Sequence, residues 1–345
     1  LSSMQQSVPF SKQAAVAGEI WVTPPGKTIS ELNRFLDISN INQWPAAFNQ
    51  TSVFKFYMVN FDKTHPTYIG DSGVEKLKSF SAFIHSQGKK MAFEVGAVYA
   101  EACKDGPFSA DGMPMPAQRA IEYEGSILKK LTDARIEIDY LVLDGPFYRI
   151  FDSQISTCVK NFGPKLDIDF AANQVTTYMQ MMKQLIPNVK FVLLNNFANW
   201  NFITSKSING VGNGIRDANG IINYEAILPV AVAKAKAKGV PFVSLQIDNP
   251  YNFQIYTNGT RASGRISTTE NDNRWERLKQ LTELAASLQL PVNLILNSET
   301  NEGSNPSDAE LVQASKDFSS LSLEYAQQFR LRGLSAQAFV VQSWY

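Results

Sequence analysis

Short apolar runs recur along the chain, and a longer segment of mixed polarity separates each run from the next. The runs are EIWVTP (19–24), VFKFYMV (53–59), MAFEVGAV (91–98), YLVLD (140–144), FVLLN (191–195), FVSLQID (242–248), VNLIL (292–296) and AFVVQSW (338–344). Apolar runs of this length, bounded by turn residues, are typical of buried parallel strands. The pattern therefore predicts eight strands.

The seven intervening segments have helical periodicity, and several carry signals for helix ends. Residues 118–135 and 275–288 each space their apolar side chains as one amphipathic stripe. The pairs that fit a Ser/Thr-x-x-Glu capping box at a helix start are Thr28 with Glu31, Ser72 with Glu75 and Ser307 with Glu310. The glycines placed to end a helix are Gly88, Gly239 and Gly333.

Eight strands joined by seven helices predict an α/β fold, a single (β/α)8 TIM barrel. A doubly wound open sheet is the structural alternative, but no Gly-x-Gly-x-x-Gly follows the first strand to mark its dinucleotide site. Residues 1–18 read as a leader that packs on the barrel, and residues 19–345 as the catalytic barrel. The pattern lacks the usual eighth outer helix.

Composition and charge narrow the function classes. The chain has 345 residues, 44% of them hydrophobic, with 32 basic and 32 acidic side chains. No basic stripe suggests nucleic acid, and no apolar run approaches the ~20 residues of a membrane span. Cys103 and Cys158 either bridge in an oxidising compartment or remain buried thiols. Abundant Ser, Thr, Asn and Gln favour a secreted or periplasmic protein, and the sequence leaves the oligomeric state open.

In a barrel of this kind, functional side chains gather where the strands end. The candidates at those ends are Glu94, Tyr99, Asp144, Tyr148, Asn195, Trp200, Asp248, Tyr251, Glu299 and Trp344. Carboxyl groups can exchange protons or attack an anomeric carbon, and amides satisfy hydroxyl groups. Aromatic rings suit the C–H faces of sugars. The set predicts a carbohydrate cleft.

Two strand ends repeat one pattern, LDGPFY at Asp144 and IDNPYN at Asp248. Turn chemistry alone can explain such tetrapeptides, as Asp105-Gly106-Pro107-Phe108 in a predicted loop illustrates. Two acids at alternate strand ends, however, can converge on one bond. Glu299 competes for one of the two roles. Glu94, inside an apolar run, must be paired or protonated, and it either tunes its neighbours, holds a sugar hydroxyl or hydrogen-bonds inside the barrel.

Other catalytic mechanisms have fewer candidate residues in this sequence. The two histidines, His65 and His85, belong to no zinc-binding cluster and to no Gly-x-Ser-x-Gly elbow. No lysine stands at the carboxyl end of a predicted strand, since Lys55 lies mid-strand. We therefore expect neither a metal nor a cofactor.

The strand ends resemble those of barrel-fold glycoside hydrolases. The Tyr140–Asp144 run looks like strand 4 of the group that pairs an Asp there with an acid on strand 6. This resemblance implies that Asp144 is a nucleophile or stabilising carboxylate and that Asp248 is the general acid. The Asn-Glu-Pro signature of the largest strand-4/strand-7 group is absent, because strand 4 reads Asp144-Gly145-Pro146.

The expected function is therefore hydrolysis of a polysaccharide or oligosaccharide. Catalysis is assigned to Asp144, Asp248 and Glu299, and the remaining candidates bind substrate. One alternative is a carbohydrate-binding barrel without catalysis. Another is a hydrolase or lyase in which Arg149 and Arg216 grip an anionic polysaccharide.

Overall fold

Eight parallel strands close into a barrel in the computed structural model, which describes residues 18–98, 102–152, 156–203, 207–208, 215–217, 220–257, 259, 263–298 and 308–342. The barrel strands are β1 (Glu19–Val22), β2 (Thr51–Tyr57), β3 (Lys90–Val95), β4 (Tyr140–Asp144), β5 (Lys190–Asn196), β8 (Phe242–Asp248), β9 (Val292–Leu296) and β10 (Ala338–Val341). They follow one another around the barrel in chain order, and β10 closes on β1. All eight predicted strands and the (β/α)8 barrel are confirmed.

Helices surround the barrel and connect its strands. They are α1 (Ile29–Phe35), α2 (Pro45–Gln50), α3 (Asp71–Ser86), α4 (Pro116–Ala120), α5 (Ser126–Asp133), α6 (Pro146–Phe151), α7 (Thr157–Phe162), α8 (Ile168–Leu185), α9 (Tyr224–Ala237), α10 (Asn252–Ile255), α11 (Thr268–Ser287) and α12 (Asp308–Leu331). A π turn (Ile121–Gly125) joins α4 to α5, and a small antiparallel hairpin of β6 (Arg216–Asp217) and β7 (Gly220–Ile221) follows β5. Among the described helices, none combines the length and apolar character needed to cross a membrane.

The predicted helix ends are confirmed more often than the predicted starts. Gly88, Gly239 and Gly333 adopt φ values of 71°, 71° and 75°, the left-handed conformation that ends a helix. Thr28 precedes α1, but its side chain makes no capping hydrogen bond. The capping box at Ser72 is wrong because α3 begins at Asp71, with Gly70 as its N-cap. Ser307 lies outside the described residues.

The barrel interior is a small cluster distinct from the larger core between strands and helices. Its apolar members are Trp21, Val53, Ala92, Val142, Val192, Leu194, Ile295, Ala338 and Val340. Side chains alternate between the two faces of a strand. Asp144 therefore faces the interior with Val142, and Asn196 does so with Leu194, whereas Asn195 faces the surrounding helices.

A disulfide bond between Cys103 and Cys158 ties the connection after β3 to α7, with the two Cα atoms 4.8 Å apart. Both cysteines are buried and pack against Leu166. Of the two readings of this pair, the structure supports the bridge. Residues 1–17 of the leader lie outside the described residues, so its packing on the barrel stays a prediction.

Candidate active site

A cleft of about 580 Å³ opens at the end of the barrel where the strands terminate. Its walls come from β2, β3, β4, β5 and β8 and from the connections after β1, β2 and β10. The lining residues are Gly26, Lys27, Tyr57, Val59, Asn60, His65, Thr67, Glu94, Asp144, Leu194, Asn196, Asp248 and Gln342. The structure thus brings together three of the predicted acids, Glu94, Asp144 and Asp248, in one cleft.

Asp144 is held by a cation from its own connection. Gly145 adopts φ 54°, and the turn it makes lets α6 begin at Pro146 and bring Arg149 back over the strand end. Arg149 Nη2 donates to Asp144 Oδ2 at 2.8 Å, and Nη1 donates to the Asp144 carbonyl. Burial works against the charge of Arg149, but the acids around it, Asp144 first, raise the pKa of the guanidinium above its usual value. This ion pair orients the Asp144 carboxylate at the end of β4.

Below the cleft, a lysine sits inside the barrel as the partner of Glu94. Lys55 has no exposed side-chain surface, and its Nζ lies 2.7 Å from Glu94 Oε2 and 3.4 Å from Gln246 Oε1. Burial raises the pKa of Glu94 and Asp144 adds to the effect, while Lys55 opposes it. Of the roles considered for Glu94, the structure supports a paired carboxylate inside the barrel, one that also faces the cleft.

Asp248 ends β8 in register with Asn196 on β5, and its side chain is buried. Its charge reaches Tyr57 on the opposite wall of the cleft. Burial, followed by the charges of Glu94, Asp248 and Asp144, raises the pKa of Tyr57 well above its usual value. Tyr57 is therefore a neutral hydroxyl among acids, and it is hydrogen-bonded to Gln342 of the same cleft.

The wall on the side of β1 and β2 consists of two connections held together by Asn60. Its Nδ2 donates to the Gly26 carbonyl at 2.7 Å and to the Thr67 carbonyl at 3.1 Å. His65 Nδ1 lies 3.3 Å from the backbone N–H of Thr67, which donates to it. Nδ1 is then an acceptor, so the ring proton is assigned to Nε2. The wall adds the His65 ring and Lys27 to a cleft that also contains three acids.

Several predicted substrate-binding residues do not line this cleft. Asn195 is buried on the outer face of β5, in register with Ile247. Trp200 is 1% exposed and packs against Tyr224, with ring centroids 5.2 Å apart. Neither side chain is accessible to a substrate in this conformation.

Two of the three predicted tyrosines are engaged elsewhere as well. Tyr251 is buried, stacks on Tyr325 and donates to Glu324 Oε1 at 2.7 Å. Tyr148 lies on α6, where its hydroxyl is bonded to Asp152. Tyr99, Glu299 and Trp344 fall outside the described residues.

At the opposite end of the barrel, three side chains lie close enough to suggest a metal site. His85, Glu137 and Asp139 bring their ligand atoms within 4.8 Å of one another. However, His85 Nδ1 lies 2.7 Å from the Ser81 carbonyl and Nε2 lies 2.8 Å from Asp139 Oδ2. Both nitrogens face acceptors, and in the doubly protonated ring both donate, so that form offers no lone pair to a metal. The cluster is an ion pair that joins α3 to the start of β4.

No known protein family and no curated protein matches the sequence. Solved structures of similar fold include a family 10 glycoside hydrolase from Paenibacillus barcinonensis, with 10% identity over 95% of this chain and 84% of that chain and a TM-score of 0.46. A glycosylated endo-β-1,4-xylanase from Gloeophyllum trabeum has 10% identity over 96% and 87%, with a TM-score of 0.48. An endo-1,4-β-D-mannanase from Thermotoga petrophila RKU-1 has 12% identity over 94% and 88%, with a TM-score of 0.46. The likeness to these solved structures is one of fold alone, and it shows no family for this chain.

Proposed function

We propose that this chain is a glycoside hydrolase that cleaves a polysaccharide or oligosaccharide through Asp144 and Asp248. The observation that carries the proposal is that both acids, predicted from separate strand ends, line one cleft together with Glu94. Glycosidic bonds are cleaved by a pair of carboxyl groups placed on either side of the bond. An open cleft with acids, amides and a neutral tyrosine suits a substrate rich in hydroxyl groups.

The two acids differ in surroundings, and this difference assigns their roles. Asp144 is ion-paired with Arg149 and its side chain is 34% exposed, so it is the carboxylate that stabilises or attacks the anomeric carbon. Asp248 is 4% exposed. We assign the role of general acid, which must carry a proton when the substrate binds, to this buried carboxyl group. Asp248 then gives its proton to the leaving oxygen, and water completes the hydrolysis.

The remaining expectations attach to this proposal. The disulfide between Cys103 and Cys158 supports export to an oxidising compartment, secreted or periplasmic. Glu299, outside the described residues, is the alternate acid on the connection after β9. The anionic-substrate alternative loses one of its two arginines, because Arg149 is bound to Asp144. Lys27 in the cleft wall keeps charged polymers among the substrates to test.

The test is product release from a panel of neutral and anionic polysaccharides, comparing the wild type with Asp144→Asn. Asp105→Asn is the matched control, since Asp105 precedes the same Gly-Pro-Phe triplet but lies exposed in a loop. We expect the wild type to cut at least one polymer, Asp144→Asn to lose about 10²–10⁴-fold in rate and Asp105→Asn to retain the activity. Equal activity of all three proteins would mean that Asp144 has only a structural role in the turn and none in catalysis. Binding of a polymer without release of product would make the barrel a carbohydrate-binding protein.

A further inference from the structure

The helix that precedes β4 contains an irregular turn beside the carboxyl ends of β2 and β3. Between α4 and α5, residues Ile121–Gly125 form a π turn. Such turns inside helices are frequent at functional sites. This one presents two consecutive side chains to the carboxyl ends of neighbouring strands. Tyr123 donates to Asp62 after β2, and Glu124 accepts from the backbone after β3.

Glu124 is 2% exposed and does not line the cleft. Its carboxylate accepts hydrogen bonds from three groups. Its Oε1 accepts from the Gly96 N–H at 2.8 Å, and its Oε2 accepts from the Ala97 N–H at 3.2 Å and from the Tyr178 hydroxyl at 2.6 Å. Ala97 has φ 60°, a conformation that is uncommon for a residue with a side chain. The carboxyl group of Glu124 therefore fixes the left-handed turn in which β3 ends.

This turn leads directly to Asp144. The Gly96 carbonyl lies 3.3 Å from Arg149 Nη1, and Arg149 Nη2 donates to Asp144 Oδ2 at 2.8 Å. A Cβ atom on Gly96 would stand 3.2 Å from Glu124 Oε1 and 3.6 Å from Arg149 Nη1. A single glycine thus separates the buried acid from the cation that holds Asp144.

We propose that Glu124 is a positioning residue that holds the Asp144 carboxylate in place through the Gly96–Ala97 turn and Arg149. Its consequence for turnover rests on the proposed hydrolase function. Electrostatics support the same connection, because the charges of Asp144, Glu124 and Glu94 together raise the pKa of Arg149 against the effect of its burial. If Glu124 only stabilised the core, its hydrogen bond to Tyr178 would be sufficient, and it would have no connection to Arg149.

Three variants distinguish a residue that positions Asp144 from one that only stabilises the core. Glu124→Ala removes every acceptor from the turn. Glu124→Gln keeps one oxygen for the Gly96 N–H, and its amide can donate to the Tyr178 hydroxyl, which then reverses its own bond. Tyr178→Phe is the control for stability, since it removes a buried hydrogen bond from Glu124 but leaves the bonds to Gly96 and Ala97.

The experiment combines a crystal structure of each variant with kcat and KM on the polymer that the wild type cleaves. In Glu124→Ala we expect Arg149 to leave the Gly96 carbonyl and the Asp144 carboxylate to move. We then expect kcat to fall about 10- to 100-fold with KM changed by less than about threefold, because a misplaced reacting group affects chemistry more than binding. Glu124→Gln should recover most of the lost kcat, and Tyr178→Phe should have a kcat close to that of the wild type.

Two results would overturn the inference. One is a Glu124→Ala structure in which Arg149 and Asp144 are unmoved. The other is a loss of kcat in Tyr178→Phe equal to that in Glu124→Ala, which would make the effect one of stability. If the wild type cleaves no polymer, the proposed function fails, and the crystal structures alone decide whether Glu124 positions Asp144.

Discussion

Replacing Lys55 by Met tests the ion pair inside the barrel most sharply, because the two side chains have similar length and differ in charge. Lys55 is fully buried, and the side chain of its partner Glu94 is only 12% exposed. Removing one member of a buried ion pair leaves an uncompensated charge and costs about 3–5 kcal/mol of unfolding free energy. We expect Lys55→Met to lose stability in that range at pH 8.

The loss should depend on pH in a defined direction. Burial raises the folded-state pKa of Glu94, so its carboxyl group contributes full stability only below its unfolded pKa of about 4.3. That contribution disappears as pH rises through the raised folded pKa. Removing Lys55 raises the folded pKa further, because its charge is what opposes the shift. The penalty of Lys55→Met should therefore be smaller at pH 5 than at pH 8.

The assay is urea denaturation followed by tryptophan fluorescence at both pH values, with two reference variants. Lys55→Met/Glu94→Gln removes both charges and should recover part of the loss. Lys90→Met removes a half-exposed lysine paired with Asp139 and should cost less than about 1 kcal/mol. The reasoning is refuted if Lys55→Met lies within about 1 kcal/mol of the wild type at pH 8. It is refuted equally if the double variant is no more stable than Lys55→Met.

Two further predictions concern stability away from the cleft. Burial lowers the pKa of His85, but Asp139 and the Ser81 carbonyl outweigh it and raise the pKa above its usual value. The stabilisation by His85, measured against His85→Gln by urea denaturation, should therefore be fully present below pH ~6.5 and fade as pH rises through the folded pKa, a change on the order of 1 kcal/mol. An equal difference at pH 5.5 and pH 8.5 would contradict it. The disulfide closes a span of 55 residues. Chain entropy then predicts that Cys103→Ala/Cys158→Ala loses up to about 4 kcal/mol of unfolding free energy, and an unchanged denaturation midpoint would argue against that account.

The fold could be predicted from the sequence because each barrel strand is a short apolar run between segments of helical period. Because these runs are apolar throughout, the sequence does not show which side chains face the barrel interior. In FVLLN and the Asn196 that follows, no alternation distinguishes the interior from the exterior, so the sequence does not show that Asn196, and not the predicted Asn195, lines the cleft. Trp200 and Tyr251 follow strand ends as expected, but whether a ring there turns into the core depends on packing partners distant in the chain.

Some of the charged residues of the site could be predicted from the sequence, and others could not. Asp144 and Asp248 were found because a strand that ends in an acid leaves a local signal. Lys55 and Glu94 also stand out in the sequence, since each interrupts an apolar run. Their pairing joins residues 39 positions apart, however, and depends on the register of β2 and β3. Glu124 gave no comparable signal, because a Glu in a helical segment is ordinary and only the π turn directs it to Gly96.

The most direct measurement of the central claim is a double-mutant cycle on kcat/KM with Asp144→Asn, Asp248→Asn and the combined variant, using a polymer that the wild type cleaves. Two carboxyl groups that act on one bond fail as a unit. The account predicts that each single variant loses about 10²–10⁴-fold and that the combined variant loses little more than the worse single one. Independent losses that multiply, or full activity in either single variant, would contradict the assignment of Asp144 and Asp248 as the acting pair.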